Sequence, residues 1–193
     1  MMESGNRTRC FGQEDPLMAD YHDSEWGVPV RDRQALFEHL SLDIFQAGLS
    51  WRVILNKRDS FREAFLDFRP EEVAKFDQKK VEQLMGNPNI VRNRKKIGAT
   101  IANARALLAM EAQGEGFSDY LWDFVGGEPQ QGPPARTWEE LPTKNETSAA
   151  MASDLKAHGF QFVGPTVCYA FMQAVGMIDD HLIGCFRYRA REK

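Results

Sequence analysis

Two cysteine and histidine pairs stand near the two ends of the chain and supply side chains that bind zinc. Cys10 and His22 form the first pair, and His181 and Cys185, four residues apart, form the second. If the second segment is helical, both of its side chains leave one face and can share an ion. The four residues make a Cys2His2 set, which closes a tetrahedral zinc site and favours one structural Zn2+ over a catalytic ion. The alternative is that Cys10 lies in a disordered tail and His181 only packs.

An ion held by both pairs would tie the two ends of the chain together. The pairs are about 160 residues apart, so the ion would remove a large loop entropy from the unfolded chain, although the gain grows only logarithmically with length. The third cysteine, Cys168, lies between Val167 and Tyr169 in an apolar segment and is typical of a buried thiol. Three cysteines cannot form a disulfide framework, and a polar N-terminus without an apolar signal core indicates the cytoplasm.

Helical patterns follow one another from Asp32 onward and must position these residues. Strand signals are nearly absent, so the sequence predicts an all-α fold. The stretch from Glu128 to Pro142 contains four prolines and is predicted as one long loop between two helical parts. The predicted helices are one capped by Asp32, one beginning near Pro70, one capped by Asp77 and ending at Gly86, one over Ile97 to Met110, one capped by Ser118, and those over Ser148 to His158 and Val167 to Val175.

Length and composition suit a single domain over residues 1–193, with 42% hydrophobic and 27% charged residues. No apolar run is long enough to cross a membrane. The net charge of −4 argues mildly against a nucleic-acid partner. Basic residues gather at 92–96 and again at 187–193, which keeps contacts with phosphates open. Solvated helix faces and a frayed tail are the alternative interpretation of these two clusters.

Four strings of sequence carry a family resemblance. They are DPLMADYHDSEWGVP (15–29), FQAGLSW (45–51), IVRNRKKIGATIANARA (90–106) and GFQFVGPTVCYAFMQAVGMIDDH (159–181). From about Arg9 to Phe186 the chain thereby resembles 3-methyladenine DNA glycosylase I, the bacterial Tag family. The resemblance implies a helix-hairpin-helix DNA glycosylase fold and one zinc ion. The residues that match the zinc ligands of the family are Cys10, His22, His181 and Cys185.

The resemblance also implies how the protein holds DNA. The segment from Gly159 to Thr166 resembles the hairpin of this family, in which backbone N–H groups at Gly164 and at the start of the next helix cradle a phosphate. An ordinary turn between helices is the alternative. Leu49 resembles the wedge that fills the position vacated by a flipped nucleotide. The implied partner is double-stranded DNA that contains alkylated adenine, bound by a monomer.

A base pocket follows from the same motifs. The resemblance places Tyr21 and Trp51 on its walls, Phe11 in the place of a stacking tryptophan, and Gln46 close by. Enzymes that act on a base take it out of the duplex and hold it between aromatic faces while polar groups read its edge. An aromatic residue among helices is more often part of the core, so these roles rest on motif position.

Two positions depart from the family pattern. The family commonly has Glu where this chain has Asp43, and Tyr where it has Met18. Asp43 remains a carboxylate that can accept hydrogen bonds from a base, with a reach one methylene shorter. Asp43 and Tyr21 are the predicted catalytic residues, and Asp43 leaves the base preference of this chain open.

The implied activity is excision of 3-methyladenine by hydrolysis of its N-glycosidic bond, which releases the free base. N3-methylation gives adenine a positive charge, so the base leaves readily and little acid catalysis is needed. No lysine accompanies the pocket motifs, which favours a monofunctional enzyme without a lyase step. Asp179 or Asp180 could assist the sugar cation or support His181. A zinc nucleobase deaminase is disfavoured because its H-x-E and P-C-x-x-C signature is absent. A lesion-binding protein of the same fold, non-catalytic or with altered specificity, is the alternative.

Overall fold

The computed structural model describes residues 7–189 and is mostly helical. Its helices are α1 (Pro16–Ser24), α2 (Arg33–Gln46), α3 (Trp51–Ala64), α4 (Pro70–Val73), α5 (Gln78–Gly86), α6 (Arg94–Ala112), α7 (Phe117–Asp123), α8 (Glu146–Ala157) and α9 (Pro165–Ala174). Short 3-10 turns lie at Leu66–Phe68 and Trp138–Glu140. Strand β1 (Gln130–Gln131) pairs in parallel with β2 (Ile178–Asp179). The mainly helical prediction is confirmed, with this one small strand pair added.

Local capping explains where most helices begin. The carboxylates of Asp32 and Asp77 accept hydrogen bonds from the backbone N–H groups of Ala35 and Lys80, as predicted. The predicted cap at Ser118 is wrong, because α7 begins one residue earlier at Phe117, whose ring is buried in the core. Packing of that ring, and no side-chain cap, sets the start of α7.

Helix α2 runs through the centre of the core. Every residue from Leu36 to Phe45 is buried, which is unusual for an amphipathic surface helix and means that α2 is covered on all sides. Helices α3, α6, α7 and α9 all pack against it. A polar side chain near the end of α2, such as Asp43, is therefore placed inside the protein and away from bulk water.

Helices α8 and α9 pack against each other through a short connection. The side chain of Asn103 on α6 brackets this connection, since its Nδ2 donates to the Gln161 carbonyl (3.1 Å) and its Oδ1 accepts from the Gln161 N–H (2.7 Å). The next residue, Phe162, has φ of 59° and an exposed ring. Asn103 thus holds the connection in one shape from the neighbouring helix.

The two ends of the described chain meet. The N–H of Phe186 donates to the Thr8 carbonyl at 3.0 Å, and Asp23 on α1 accepts a bidentate hydrogen bond from Arg9. The segment from His181 to Cys185 is a turn and not the helix considered from its spacing. Gly184 has φ of 96° there, and the Cys185 N–H donates to the Leu182 carbonyl (2.9 Å), which closes a tight turn.

The loop at residues 128–142 is long and non-helical apart from its short 3-10 turn. Pairing of β1 with β2 and a hydrogen bond from the Ile183 N–H to the Ala135 carbonyl (2.7 Å) attach it to the C-terminal segment. Cys168 is fully buried, as predicted. No helix between residues 7 and 189 has the length and apolar character of a membrane span.

Candidate active site and metal centre

An aromatic cavity of about 360 Å³ opens between α1, the end of α2, the start of α3 and α9. Its wall contains the sequence-predicted residues Phe11, Tyr21, Asp43, Gln46 and Trp51, together with Met18, one of the two positions that depart from the family pattern. It also contains Trp26, Trp138, Ala170, Gln173 and Ala174, which were not predicted. The structure therefore brings together every predicted pocket residue and adds two tryptophans and a glutamine.

Aromatic rings form most of this wall. The rings of Tyr21 and Trp51 lie 5.3 Å apart between centroids and are tilted by 45°. Phe11 contacts Trp26 at 5.3 Å and Trp138 at 5.9 Å. The indole N–H of Trp138 donates to the Cys10 carbonyl at 2.9 Å, which fixes the long loop against the N-terminal segment. These faces suit a flat heteroaromatic ligand.

Asp43 supplies a carboxyl group to the wall of the cavity. Only 5% of its surface is exposed, and its Oδ2 has no hydrogen-bond partner among residues 7–189. Burial raises the pKa of Asp43 well above its ordinary value. The buried Nε1 of Trp51 likewise has no partner in the described chain. A ligand in the cavity thus finds an acceptor and a donor that the protein leaves unpaired, and buried polar groups are rarely left so.

Tyr21 is the other predicted catalytic residue, and it is almost fully buried beside Asp43. Burial, and next the negative charge of Asp43, raise the pKa of Tyr21 well above 10.0. Its phenol is therefore neutral at physiological pH, so it serves as an aromatic wall and a hydroxyl and not as a base.

A tight turn beside the cavity presents Leu49, whose side chain is 39% exposed. The Gln46 amide donates to the Leu49 carbonyl at 2.7 Å. Lys96 reaches across from α6 and donates to the carbonyls of Phe45 (2.9 Å) and Ala47 (2.6 Å) at the end of α2. Burial lowers the pKa of Lys96. Leu49 is thus an exposed apolar side chain on a turn that is fixed from both sides.

The other residues predicted to bind DNA lie outside the aromatic cavity. Gly159 (φ 90°) ends α8, and Gly164 precedes α9 without any side-chain cap. A Cβ built on Gly164 meets no atom within 4 Å, so open space surrounds it. Thr166, in the first turn of α9, lines a neighbouring cavity instead. Of the basic residues, Arg94 is paired with Glu82, and those at 190–193 lie outside the described residues.

Three of the four predicted metal ligands form a tight group. The ligand atoms of Cys10, His22 and Cys185 all lie within 4.8 Å of one another. The Cys185 sulfur is 3.3 Å from His22 Nε2. Burial raises the pKa of the Cys10 thiol to about 12, an effect that a bound cation would oppose. Such a group, closed by a fourth ligand, matches the donor set of a structural zinc site.

His181 lies beside this group, with its ring 5.4 Å from that of His22 between centroids. Its Nδ1 pairs with Asp179 Oδ1 (2.7 Å), and its buried Nε2 has no partner within residues 7–189. The Nδ1 of His22 pairs in the same way with Asp23 Oδ1 (2.9 Å). A histidine that binds a metal ion usually pairs one ring nitrogen with a carboxylate or another acceptor and uses the other nitrogen for the metal. The donor set therefore fits a zinc ion.

The sequence of residues 11–188 matches the family model described as methyladenine glycosylase. The chain belongs to the methyladenine glycosylase family. It is 48% identical over 181 residues to DNA-3-methyladenine glycosylase 1 of Escherichia coli (strain K12), covering 93% of this chain and 96% of that protein.

Solved structures agree with this family. One of 3-methyladenine DNA glycosylase I (TAG) has a TM-score of 0.91 and 48% identity, covering 94% of this chain and all of that one (100%). A tyrosine-to-phenylalanine variant of 3-methyladenine DNA glycosylase I in complex with 3-methyladenine has a TM-score of 0.87 and 38% identity, covering 95% and 98% of the two chains.

In this member of the family, three residues of the aromatic cavity were not predicted from the sequence, each for a different reason. Trp26 stands within the first resemblance string, so its position in that motif was a usable signal. Trp138 lies in the proline-rich loop, where no periodicity indicates which side chain turns inward. Gln173 is on α9, and its partner is Asp180 and not a neighbour along the helix. Of the two alternatives for Asp179, the contact with His181 is the one observed. Asp180 instead contacts Gln173 and Tyr169.

Proposed function

We propose that this protein is a DNA glycosylase that hydrolyses the N-glycosidic bond of 3-methyladenine in alkylated DNA. The observation that carries the proposal is Asp43, a buried carboxyl group in a cavity of aromatic rings, one of whose oxygens has no partner within the described part of the chain. A cationic methylated base offers that carboxylate a charge and N–H groups, whereas a neutral base gains less. The relatives named for this activity, and the related structure that holds 3-methyladenine, support the same assignment.

The chemistry asks little of the protein beyond binding. The bond between C1′ and N9 breaks with its electron pair moving to the base, which neutralises the positive charge that methylation placed there. Water supplies the new oxygen on C1′, and its proton leaves to solvent. Asp43 and the aromatic walls favour the cationic base and hold it in the orientation from which it departs.

A hydrolytic reaction without a lyase step fits the residues around the cavity. A lyase requires an amine that attacks C1′. None of the residues that line the aromatic cavity is a lysine. The amine of the buried Lys96 is occupied by the carbonyls at the end of α2. We therefore expect release of the free base with an intact DNA strand.

Helices α8 and α9 with their connection are proposed as a helix-hairpin-helix element that binds duplex DNA. Gly164 is open to approach, and after Pro165, which has no N–H, the first turn of α9 presents backbone N–H groups that no side chain among residues 7–189 caps. Such a helix start attracts a phosphate through its N–H groups and its dipole. The exposed Leu49 is proposed as the wedge that enters the duplex where the base leaves.

One zinc ion is proposed to join the two ends of the chain through Cys10, His22, His181 and Cys185. When bound, it would supply cross-linking and not catalysis, because four protein ligands leave no position for water. The observation that supports the fourth ligand is the buried Nε2 of His181, which has no hydrogen-bond partner among residues 7–189.

The test is release of free base from duplex DNA treated with a methylating agent. The purified protein should liberate 3-methyladenine, identified by chromatography against the authentic base, and leave abasic sites in unbroken strands. Untreated duplex is the control for nonspecific release. Tight binding to alkylated duplex without any base release would instead indicate the non-catalytic lesion binder.

A further inference from the structure

A second cavity of about 280 Å³ adjoins the aromatic cavity, and we call it the side cavity. The two share four lining residues, which form their boundary: Gln46, Trp138, Ala170 and Gln173. The side cavity also reaches Thr166 in the first turn of α9, where a DNA phosphate is proposed to bind. A flipped nucleotide whose base fills the aromatic cavity would therefore place its deoxyribose in the side cavity. Its glycosidic bond would cross the boundary.

Three of the boundary residues carry polar groups, and each is held differently. The Trp138 N–H donates to the Cys10 carbonyl, and the Gln46 amide donates to the Leu49 carbonyl. The Gln173 amide nitrogen instead donates to a carboxylate, Asp180 Oδ2, at 2.7 Å. Gln173 is thus the boundary residue whose amide is polarised by an acidic partner.

Asp180 is placed to orient Gln173. It is 2% exposed, and its Oδ2 also accepts a hydrogen bond from the hydroxyl of Tyr169 at 2.7 Å. Because this oxygen accepts both bonds, the NH2 group of Gln173 must face Asp180. The Oε1 of Gln173 is left on the other side of the amide, where it can accept a hydrogen bond from a ligand or a water molecule.

We propose that Gln173 is a catalytic residue, whose amide oxygen holds the attacking water against C1′, and that Asp180 is its positioning residue. This inference rests on the proposed glycosylase function. As the C1′–N9 bond breaks, its electron pair moves to the base. The water oxygen bonds to C1′ while Gln173 Oε1 accepts a hydrogen bond from that water, whose proton then passes to solvent. The negative end of the amide dipole also faces the positive charge that develops on the sugar.

The experiment compares Gln173→Leu and Gln173→Met with wild type and with a matched control, Gln78→Ala. Gln78 also donates to a carboxylate, Glu82 (2.6 Å), but its helix α5 contributes to neither cavity. The first measurement is the single-turnover rate of 3-methyladenine release from methylated duplex. Loss of one oriented polar group at the reacting centre should slow this step on the order of 10²-fold, and Gln78→Ala should leave it unchanged.

The second measurement separates catalysis from structure. It compares the affinity for a duplex with a neutral tetrahydrofuran abasic site to that for a duplex with a cationic pyrrolidine in the same place. Wild type should prefer the pyrrolidine, and the Gln173 variants should lose roughly tenfold of this preference while binding the tetrahydrofuran duplex normally. Asp180→Asn keeps the acceptor but removes its charge, so it should reduce both the rate and the preference by a smaller factor.

Folding of each variant is checked by circular dichroism and by its melting temperature, neither of which depends on a ligand in either cavity. Wild-type rate and wild-type pyrrolidine preference in a folded Gln173 variant would overturn the inference. If Gln173→Leu does not fold, Gln173→Met and Asp180→Asn decide the question by the same two readouts. Failure of wild type to release any base would refute the proposed function, which is a distinguishable result.

Discussion

Replacing Asp43 by Asn should remove most of the selectivity for 3-methyladenine and leave the fold intact. The side chain is 5% exposed, and burial raises its pKa above the ordinary value of 3.8. Since the native pKa is higher than the unfolded one, stability is greatest below the unfolded pKa and falls as pH rises through the native pKa. Asp43→Asn removes that loss, so at neutral pH it should unfold at the same temperature as wild type or a higher one.

The size of the catalytic effect follows from the charge on the base. Two unit charges about 4 Å apart attract by about 4 kcal/mol at an effective dielectric constant of about 20. If about half of this survives the desolvation of the base, the remaining ~2 kcal/mol corresponds to about 30-fold in kcat/KM. A neutral lesion such as hypoxanthine has no such charge attraction, so its excision should not fall by this factor in Asp43→Asn.

The assay is single-turnover excision from duplexes that carry 3-methyladenine, followed across the acidic and neutral pH range. Wild type should become more active as pH rises through the native pKa of Asp43, because the carboxylate then ionises. Asp43→Asn should lack this rise. Asp43→Glu restores the side-chain length common in the family, so it retains the charge and should stay well above Asp43→Asn.

Attraction of the cationic base by Asp43 is refuted if Asp43→Asn folds, binds duplex DNA normally and excises 3-methyladenine at the wild-type rate. Other groups would then read the base. An equal loss for cationic and neutral lesions would also contradict it, since the effect would not depend on charge.

Three further predictions concern the elements around the site. Metal analysis should find about one zinc per chain, and Cys185→Ala should lower both the zinc content and the melting temperature; a metal-free protein of unchanged stability would exclude the staple. Gly164→Val should weaken binding to every duplex without loss of stability, because its Cβ meets open space. Leu49→Ala should weaken only capture of the flipped state. Equal DNA affinity for Gly164→Val and wild type would rule out phosphate binding at Gly164. Lys96→Met should loosen the turn that carries Leu49 and raise its hydrogen exchange; unchanged exchange there would show that the Lys96 hydrogen bonds are dispensable.

The sequence by itself determined the elements whose causes are local. Caps such as Asp32 and Asp77 act on backbone groups within three residues, so their helices could be predicted from short patterns. Residues in contiguous motifs could also be predicted, since Tyr21 and Trp51 both reach the cavity. The helix start at Phe117 was mispredicted because burial of its ring, a tertiary effect, competes with the nearby serine.

Only the tertiary structure decided which distant groups meet at the site. Trp138 enters the aromatic cavity because its loop is attached to the C-terminal segment and to Cys10, 128 residues away in sequence. Contacts of that kind depend on how whole helices pack, and no periodicity records them. The same packing leaves Asp43 Oδ2 without a partner among the residues that the structure describes, and it turns the amide of Gln173 toward Asp180. Which polar atoms remain available for a ligand is a property of the folded arrangement, because each is set by partners from other elements.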